Sequence, residues 1–451
     1  FYKNPKLNES ESGAQSGRQV QQQSRLVVVS GRTQRIVANV LDKGFGGDRK
    51  VDDEFCTLLD NAFKEKSRTN DLNRVDDDLW RGFAVFTTTT DGNRFQQISR
   101  HITKQSAQNK PSIWFMFTGL HENLSHYICA LMTIPAFKAS VEMSAQIVHS
   151  MGVDAIECLT ETMFWETDLN GQNIHRVFIA AAVHHMAFVD VMRAVGVTPD
   201  GYLGASLGEL MCLYLDGLCD RRQCLAMCQA VRLPDNPRPL WTFRGVNSWH
   251  EIERHCANGT DICVAAHYAD SHFNVVGTEV AVYELRDALH ARQIQVSEVR
   301  KKYNPLHTGN LFVPNMGQVL LDQFTQVVPE RTHSKPSDRL IFTSRPTLRL
   351  VGTADNTIGF SAAESFANTL LSTDFFKEAV DRLPADALVV NIDSNSGLRD
   401  VALSGRPQEL YVRQSESSPE PVFGINHLFR EIGLVFTAGH WPRVHDLMAN
   451  I

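Results

Sequence analysis

One serine in this chain is flanked by glycines at the spacing a nucleophile requires. Gly204-Ala205-Ser206-Leu207-Gly208 is a G-x-S-x-G elbow inside the stretch Pro199 to Glu209. Such a turn needs glycine on both sides of the serine. It lifts the Ser206 hydroxyl out of the backbone at the start of the next helix, where free N–H groups can stabilise an oxyanion. Three fixed positions also occur by chance, so the flanking elements give the match its weight. An apolar helical segment, Val177 to Val195, precedes the elbow and closes at Gly196 and Pro199. A short strand, Gly201 to Leu203, leads in, and an amphipathic helix from Leu207 to Leu218 leads out. A serine hydroxyl is unreactive without a base to take its proton. The chain holds 17 histidines, and His307 is singled out by its place after a small inserted unit, with Leu306 before it.

That unit interrupts a longer alternation. Ile113–Phe117, Gly201–Leu203, Arg339–Thr343 and Ala387–Ile392 are short, apolar, β-rich runs with helical segments between them. This pattern predicts a parallel sheet covered on both faces. Residues 241–303 have another rhythm: a strand at Thr242–Val246, a helix at 248–257, strands at Asp261–His267 and Phe273–Gly277, a helix at 279–291 and a strand at 294–300. The order βαββαβ is ferredoxin-like. Upstream, residues 7–24 are polar with little to bury and read as a flexible tether. Residues 25–110 read as a small α/β unit, with a strand at 26–29, helices near 33–43 and 52–66, and strands near 82–87 and 95–99. Lys64 to Asp78 is a charge-rich solvated connection.

The 451 residues are too many for one compact core, so two or three units are expected. A net charge of −7 gives no reason to expect nucleic acid or an anionic membrane as partner. No uninterrupted run of 18 apolar residues occurs and no signal peptide precedes the first strand, so the expected setting is cytoplasmic. The nine cysteines form no C-x-x-C pair; Cys224 and Cys228 lie one helical turn apart, as on a packed helix face, and free thiols rather than a metal site are expected. Two formal glycosylation sequons, at Asn123 and Asn258, are expected to go unused.

Gly-Ala-Ser-Leu-Gly-Glu at 204–209, followed by Tyr214 and Asp216-Gly217, resembles the malonyl/acetyl transferase domain of animal type I fatty acid synthase, which reads G-H-S-L-G-E at this place. Ile113 to Gly119 looks like the strand and turn that open that transferase, and Leu306-His307 like its Phe-His. Leu26 to Thr33 and Trp80 to Val85 look like the linker between ketosynthase and transferase, and Asn4-Pro5-Lys6 like the run-out of the ketosynthase. The resemblance is to an arthropod-like synthase of this kind or a close paralogue. It implies an α/β, hydrolase-like parallel-sheet acyltransferase core at 113–240 and 307–435, with the ferredoxin-like subdomain inserted at 241–306. It also implies a ketosynthase run-out and tether at 1–24, an α/β linker domain at 25–112, and a post-transferase linker at 436–451.

The same resemblance implies the chemistry. Ser206 attacks an acyl-CoA thioester, His307 serves as base, and the acyl group passes to the phosphopantetheine thiol of an acyl carrier protein. The implied dyad has no acidic third member; a backbone carbonyl orients the histidine. The oxyanion hole falls to the N–H of Leu207 and one N–H of the Gly119–Asn123 turn, with Asn123 as candidate. Leu306 and Arg232 are the substrate-binding candidates, and no metal or permanently bound cofactor is implied. The implied partners are acyl-CoA, the acyl carrier protein and the neighbouring domains of a megasynthase.

The chain also departs from the family pattern. The family turn G-x-G-x-Q reads Gly119-Leu120-His121-Glu122-Asn123, which puts His121 where a glycine would allow positive φ. Ala205 replaces the family histidine before the serine, and Ser394-Asn395 replaces its late Pro-His. The family arginine that pairs with a malonyl carboxylate falls at Val231, one residue before Arg232. One residue on a helix rotates a side chain by about 100°. Without that arginine, uncharged acyl groups are favoured. Two functions therefore stay open: a working acyltransferase, and a catalytically impaired, transferase-derived structural or binding module. A hydrolase is a third; the elbow suits it, the inserted unit and linker do not.

Overall fold

The computed structural model describes residues 24–45, 79–88, 95–105, 110–119, 124–154, 174–233, 240–245, 249–257, 261–269, 272–302, 304–329, 335–344, 360–392 and 423–448, with a few isolated positions. Residues 7–23 of the expected tether, the charge-rich stretch, residues 121–123 and 394–395, and all of the helix expected near 52–66 except Leu58 and Asn61 lie outside these residues, whereas Ser24, expected in the tether, is buried and begins the first strand.

Three sheets organise the chain. The first is antiparallel, in the order β1 (Ser24–Gly31), β2 (Leu79–Thr88), β3 (Phe95–Gln105). Alternate residues of a strand face opposite ways, and here both faces are covered. Val27, Ala84 and Phe86 pack with Val37 and Leu41 of the helix Gln34–Phe45. Leu26, Phe83 and Val85 face the other way and join the largest core of the molecule. They meet the helix Phe423–Thr437 there: a Cβ on Gly433 would stand 2.4 Å from the Phe83 ring. Arg81 clamps the same junction, donating to the carbonyls of Phe436 and His440, with its guanidinium 4.5 Å from the Trp441 ring centre.

The second sheet is parallel, with strand order β10 (Leu340–Ile341), β5 (Gly201–Gly204), β4 (Ile113–Phe117), β11 (Leu388–Asn391). Its central strands alternate between two cores. Ile113, Phe115 and Phe117 point into the large one. Trp114, Met116 and Leu203 point into a second, built with Phe376, Ala379, Val380 and Leu383. The helix Ile174–Ala194 covers the first face and is buried nearly all round. It is long and apolar enough to cross a membrane by length and composition, but 83% of its apolar window is buried inside the fold. The helix after the elbow spans Leu207–Leu215 rather than reaching Leu218. Asp216 caps it and Gly217 takes φ +73°, a left-handed position that ends a helix.

The third sheet runs β9 (Arg300–Lys302), β6 (Leu240–Gly245), β8 (His272–Gly277), β7 (Ile262–Ala269), with every pairing antiparallel. Numbered within this unit the order is 4-1-3-2, the ferredoxin-like arrangement. The helices Trp249–Ala257 and Glu279–His290 supply Ile252, Val282, Leu285 and Leu289 to its core. The last strand differs from the expected 294–300. Val296 makes an isolated bridge to Gly245, and regular pairing begins only at Arg300. In between, Ser297 exchanges hydrogen bonds with the Arg244 backbone through its hydroxyl and its own N–H, which breaks the ladder.

Candidate active site

The elbow stands at the carboxyl end of β5, beside the end of β4, where open parallel sheets place their ligands. Its glycines are fixed by close approach. A Cβ on Gly204 would lie 2.2 Å from the Gly208 carbonyl carbon, and one on Gly208 would lie 2.6 Å from the Phe117 oxygen. Between them Ser206 takes φ +52° and ψ −121°. A non-glycine residue there costs about 1–3 kcal/mol, a strain that collects at functional sites. Leu207 begins the following helix, so its N–H has no carbonyl partner within the helix. Gly119 also has positive φ, and a Cβ there would lie 2.9 Å from the Ala205 oxygen. The turn that starts at Gly119 thus abuts the elbow; Asn123 at its far end lies outside the described residues.

His307 reaches Ser206 from another element. Its Nε2 is 2.9 Å from Ser206 Oγ, and its Nδ1 is 2.9 Å from the Ser372 carbonyl oxygen. A carbonyl only accepts, so Nδ1 carries the proton and donates to Ser372. Nε2 is then the acceptor facing the serine hydroxyl, the tautomer a general base needs. His307 also has positive φ, +62°, and its N–H donates to the Leu370 carbonyl. Gly309 N–H donates to the Leu371 carbonyl, so the turn is seated on the end of the helix Ala362–Leu371.

Glu209 locks the elbow helix from below. It is fully buried and accepts five hydrogen bonds: from the N–H groups of Thr343 and Ser344, and from the hydroxyls of Thr343, Ser344 and Thr369. A second buried carboxyl, Asp374, stands near Ser206, Thr343 and Glu209, and its Oδ1 has no hydrogen-bond partner. Burial, and then the nearby Glu209 charge, push Asp374 up to about 8. The position of Glu209 within the elbow motif could have signalled its anchoring role. Asp374 stands in a Ser-Thr-Asp-Phe stretch with no spacing that marks it.

The other sequence candidates are placed elsewhere. Leu306 is buried in the large core, and its N–H donates to the Asn304 side chain. Arg232 is exposed, and its guanidinium donates to the carbonyls of Gln229 and Val231 at 2.5 and 2.8 Å. Its backbone exchanges hydrogen bonds with the Gln323 side chain. The described contacts of Arg232 thus lie at a helix end, and none reaches Ser206 or His307. The physical cause is helix length: the helix Arg221–Ala230 stops at Ala230, and Val231 turns to extended ψ. Among the described residues no group of three or more His, Cys, Asp or Glu side chains could hold a metal ion.

The geometry resembles known folds. The acyltransferase domain from module 8 of the salinomycin polyketide synthase superposes with a TM-score of 0.63 at 14% identity, covering 94% of this chain and 98% of that one. The acyl transferase domain of ZmaA gives 0.61 at 15% identity, covering 92% and 94%. A malonyl-transacylase of a type II polyketide synthase, solved in complex with its acyl-carrier protein, gives 0.50 at 17% identity, covering 65% and 92%. In sequence, the highly reducing polyketide synthase otaA of Aspergillus niger is 27% identical over 261 residues, which is 54% of this chain and 10% of that protein. The corresponding synthase curS1 of Aspergillus terreus is 29% identical over 123 residues, 27% of this chain and 5% of that protein. The chain therefore spans a tenth or less of the curated relatives it matches first. The match to the acyl transferase domain family runs over residues 114–399, from β4 through the elbow to beyond β11, and on that match the chain belongs to this family.

Proposed function

We propose that this chain moves an acyl group from an acyl-CoA to the phosphopantetheine thiol of an acyl carrier protein by way of an ester on Ser206. One observation carries the reading: Ser206 Oγ lies 2.9 Å from a His307 Nε2 whose tautomer is fixed by the Ser372 carbonyl. His307 takes the hydroxyl proton as Oγ bonds to the thioester carbon. The carbonyl electron pair moves onto oxygen, beside the Leu207 N–H and a second donor from the turn after Gly119. The oxyanion collapses, the C–S bond breaks, and the CoA sulfur leaves with the proton from His307. The pantetheine thiol then repeats these steps on the ester and returns the proton to Ser206. One thioester is exchanged for another, and no redox change occurs.

The acceptor draws support from the malonyl-transacylase of similar fold solved with an acyl-carrier protein. A setting among neighbouring domains of a megasynthase, of the fatty acid or polyketide kind, draws support from the relatives and the resemblance of the elbow, and the location proposed with it is cytoplasmic. Malonyl and acetyl are the donors we propose, with weak discrimination between them, because the Arg232 guanidinium is engaged at a helix end. That same engagement favours the competing reading, an impaired binding module. Intact mass after mixing with acetyl-CoA, and separately with malonyl-CoA, tests both. One added acyl mass, lost in Ser206→Ala, is the expected result. A label that persists in the variant overturns the nucleophile, and folded wild-type protein that takes no label from either donor moves the reading to the binding module.

A further inference from the structure

Ser206 and His307 stand on different elements, so the 2.9 Å bond between them lasts only while those elements keep their register. His307 is carried by the end of the helix Ala362–Leu371. The Leu370 carbonyl accepts its N–H and the Ser372 carbonyl its Nδ1–H, each at 2.9 Å. Phe366 packs this helix into the large core, against Phe178 and Phe324. Apolar burial is non-directional. A fixed position along the helix axis calls for directional bonds.

The last turn of that helix bonds directly to the elbow helix. Thr369 Oγ1 is 2.5 Å from Oε1 of Glu209, which sits on the elbow helix close behind the nucleophile. A threonine inside a helix ordinarily turns its hydroxyl to the carbonyl four residues back. That carbonyl, of Ser365, is 2.9 Å away. The hydroxyl has one proton to give, and the closer, charged acceptor takes it. A second path is longer: Asn368 Nδ2 donates to Ser344 Oγ at 3.3 Å, and Ser344 Oγ donates to Glu209 Oε1 at 2.6 Å. These bonds close a ring. From Ser206 it follows the backbone to Glu209, crosses to Thr369, follows the backbone to Leu370 and Ser372, crosses to His307 and returns to Ser206 Oγ. The Glu209–Thr369 bond is the side of the ring opposite the reacting pair.

We propose that Thr369 is a positioning residue for acyl transfer: its hydroxyl, held by Glu209, keeps the helix end that carries His307 in register with Ser206. Its described bonds reach neither reacting atom, and it acts through the Leu370 and Ser372 carbonyls. Without the hydroxyl, the last turn shifts until the longer path through Asn368 and Ser344 stops it, and His307 Nε2 moves off the serine. A misplacement of about 1 Å is enough to cost about a hundredfold in rate. The acetyl-CoA arm of the test rests on the acyl-transfer reading; the other arm does not.

Thr369→Val keeps the shape and removes the hydroxyl, Thr369→Ser keeps the hydroxyl and removes the methyl, and Thr369→Ala removes both. Thermal midpoints are measured first, and two labels on Ser206 are then timed by intact mass well below them. Acetyl-CoA reports acyl transfer. A fluorophosphonate reports the dyad alone: Oγ bonds to phosphorus, fluoride leaves, and His307 takes the proton. Thr369→Val should slow both labels by about ten- to a hundredfold, with the half-saturating acetyl-CoA concentration within about twofold of wild type. Thr369→Ser should label within about threefold of wild type even though its midpoint falls with the lost methyl. Thr369→Val labelling within about twofold of wild type overturns the proposal, and so does Thr369→Ser as slow as Thr369→Ala, which would make packing the cause. If Thr369→Val does not fold, Thr369→Ser against Thr369→Ala decides the same point, because the two differ by one oxygen. Wild type labelled by the fluorophosphonate but not by acetyl-CoA refutes the acyl-transfer reading and leaves the fluorophosphonate rates to judge Thr369. Wild type that takes neither label overturns the positioning role, since no working dyad is there to position.

Discussion

Two substitutions at Glu209 separate the worth of its acceptors from the worth of its bulk. Oε2 takes two backbone N–H groups, of Thr343 and Ser344, each at 2.9 Å. Oε1 takes the hydroxyls of Ser344 and Thr369, at 2.6 and 2.5 Å. In Glu209→Gln the amide oxygen can keep the two backbone donors, and the amide NH₂ can face hydroxyls that rotate to accept. Each bond loses its charge assistance, about 1 kcal/mol, but a neutral amide is easier to bury than a carboxylate. A net loss of about 1–3 kcal/mol is expected. Glu209→Ala has no such remedy. Two buried N–H groups lose their acceptor, at about 1–3 kcal/mol each, and a cavity opens in a residue that is fully buried. The hydroxyls fare better, because Thr343 still has the Gly204 carbonyl and Thr369 the Ser365 carbonyl. The expected total is about 4–6 kcal/mol, close to the whole stability of an ordinary domain. Urea unfolding followed by fluorescence measures both. Equal losses in the two variants would refute the reasoning, since they would make bulk, not the acceptor set, the source of the anchoring.

Gly204→Ala should abolish acylation and cost more than about 3 kcal/mol in the same unfolding assay, because its Cβ would press on backbone rather than on a side chain that can swing aside. His307→Ala should slow acylation by about 10²–10⁴-fold, the usual worth of a general base, with an unchanged circular dichroism spectrum. Arg232→Ala should leave the ratio of kcat/KM for malonyl-CoA and acetyl-CoA within about twofold, since its guanidinium holds helix-end carbonyls. A malonyl preference that collapses in this variant would show that Arg232 reaches the substrate.

The elbow was legible in the sequence because its glycines are demanded by local sterics, and local sterics act over neighbouring residues. The ferredoxin-like unit was legible because its period changes from the surrounding alternation, and the sheet order agrees with it. His307 was found through its place after that unit. The long-range partners were not legible. Ser372 offers only a backbone carbonyl, which any residue could supply, and Asp374 is buried near the elbow only because the segment between two helices bonds to both sheets. Arg232 shows a different limit. Counting positions from the elbow assumes an unbroken helix, and the helix stops at Ala230, so a residue expected on a helix face instead folds back over its end. The last strand of the small subdomain slipped for a similar reason: Ser297 bonds to the Arg244 backbone, and no apolar period announces that.

The shared packing of β1 and β2 on the helix Phe423–Thr437 sets the size of the cooperative unit. Leu26, Phe83 and Val85 contribute to the same core as the helix Ile174–Ala194, and Arg81 caps carbonyls of Phe436 and His440. Unfolding that begins in the three-stranded sheet therefore strips an apolar face from the helix behind the parallel sheet. A chain shortened to start at Lys110 would leave that face to water, and Gly433 would sit in a groove shaped for an absent ring. The smallest piece that keeps the elbow fully supported thus begins at Ser24, well before the first strand of the sheet that bears the nucleophile.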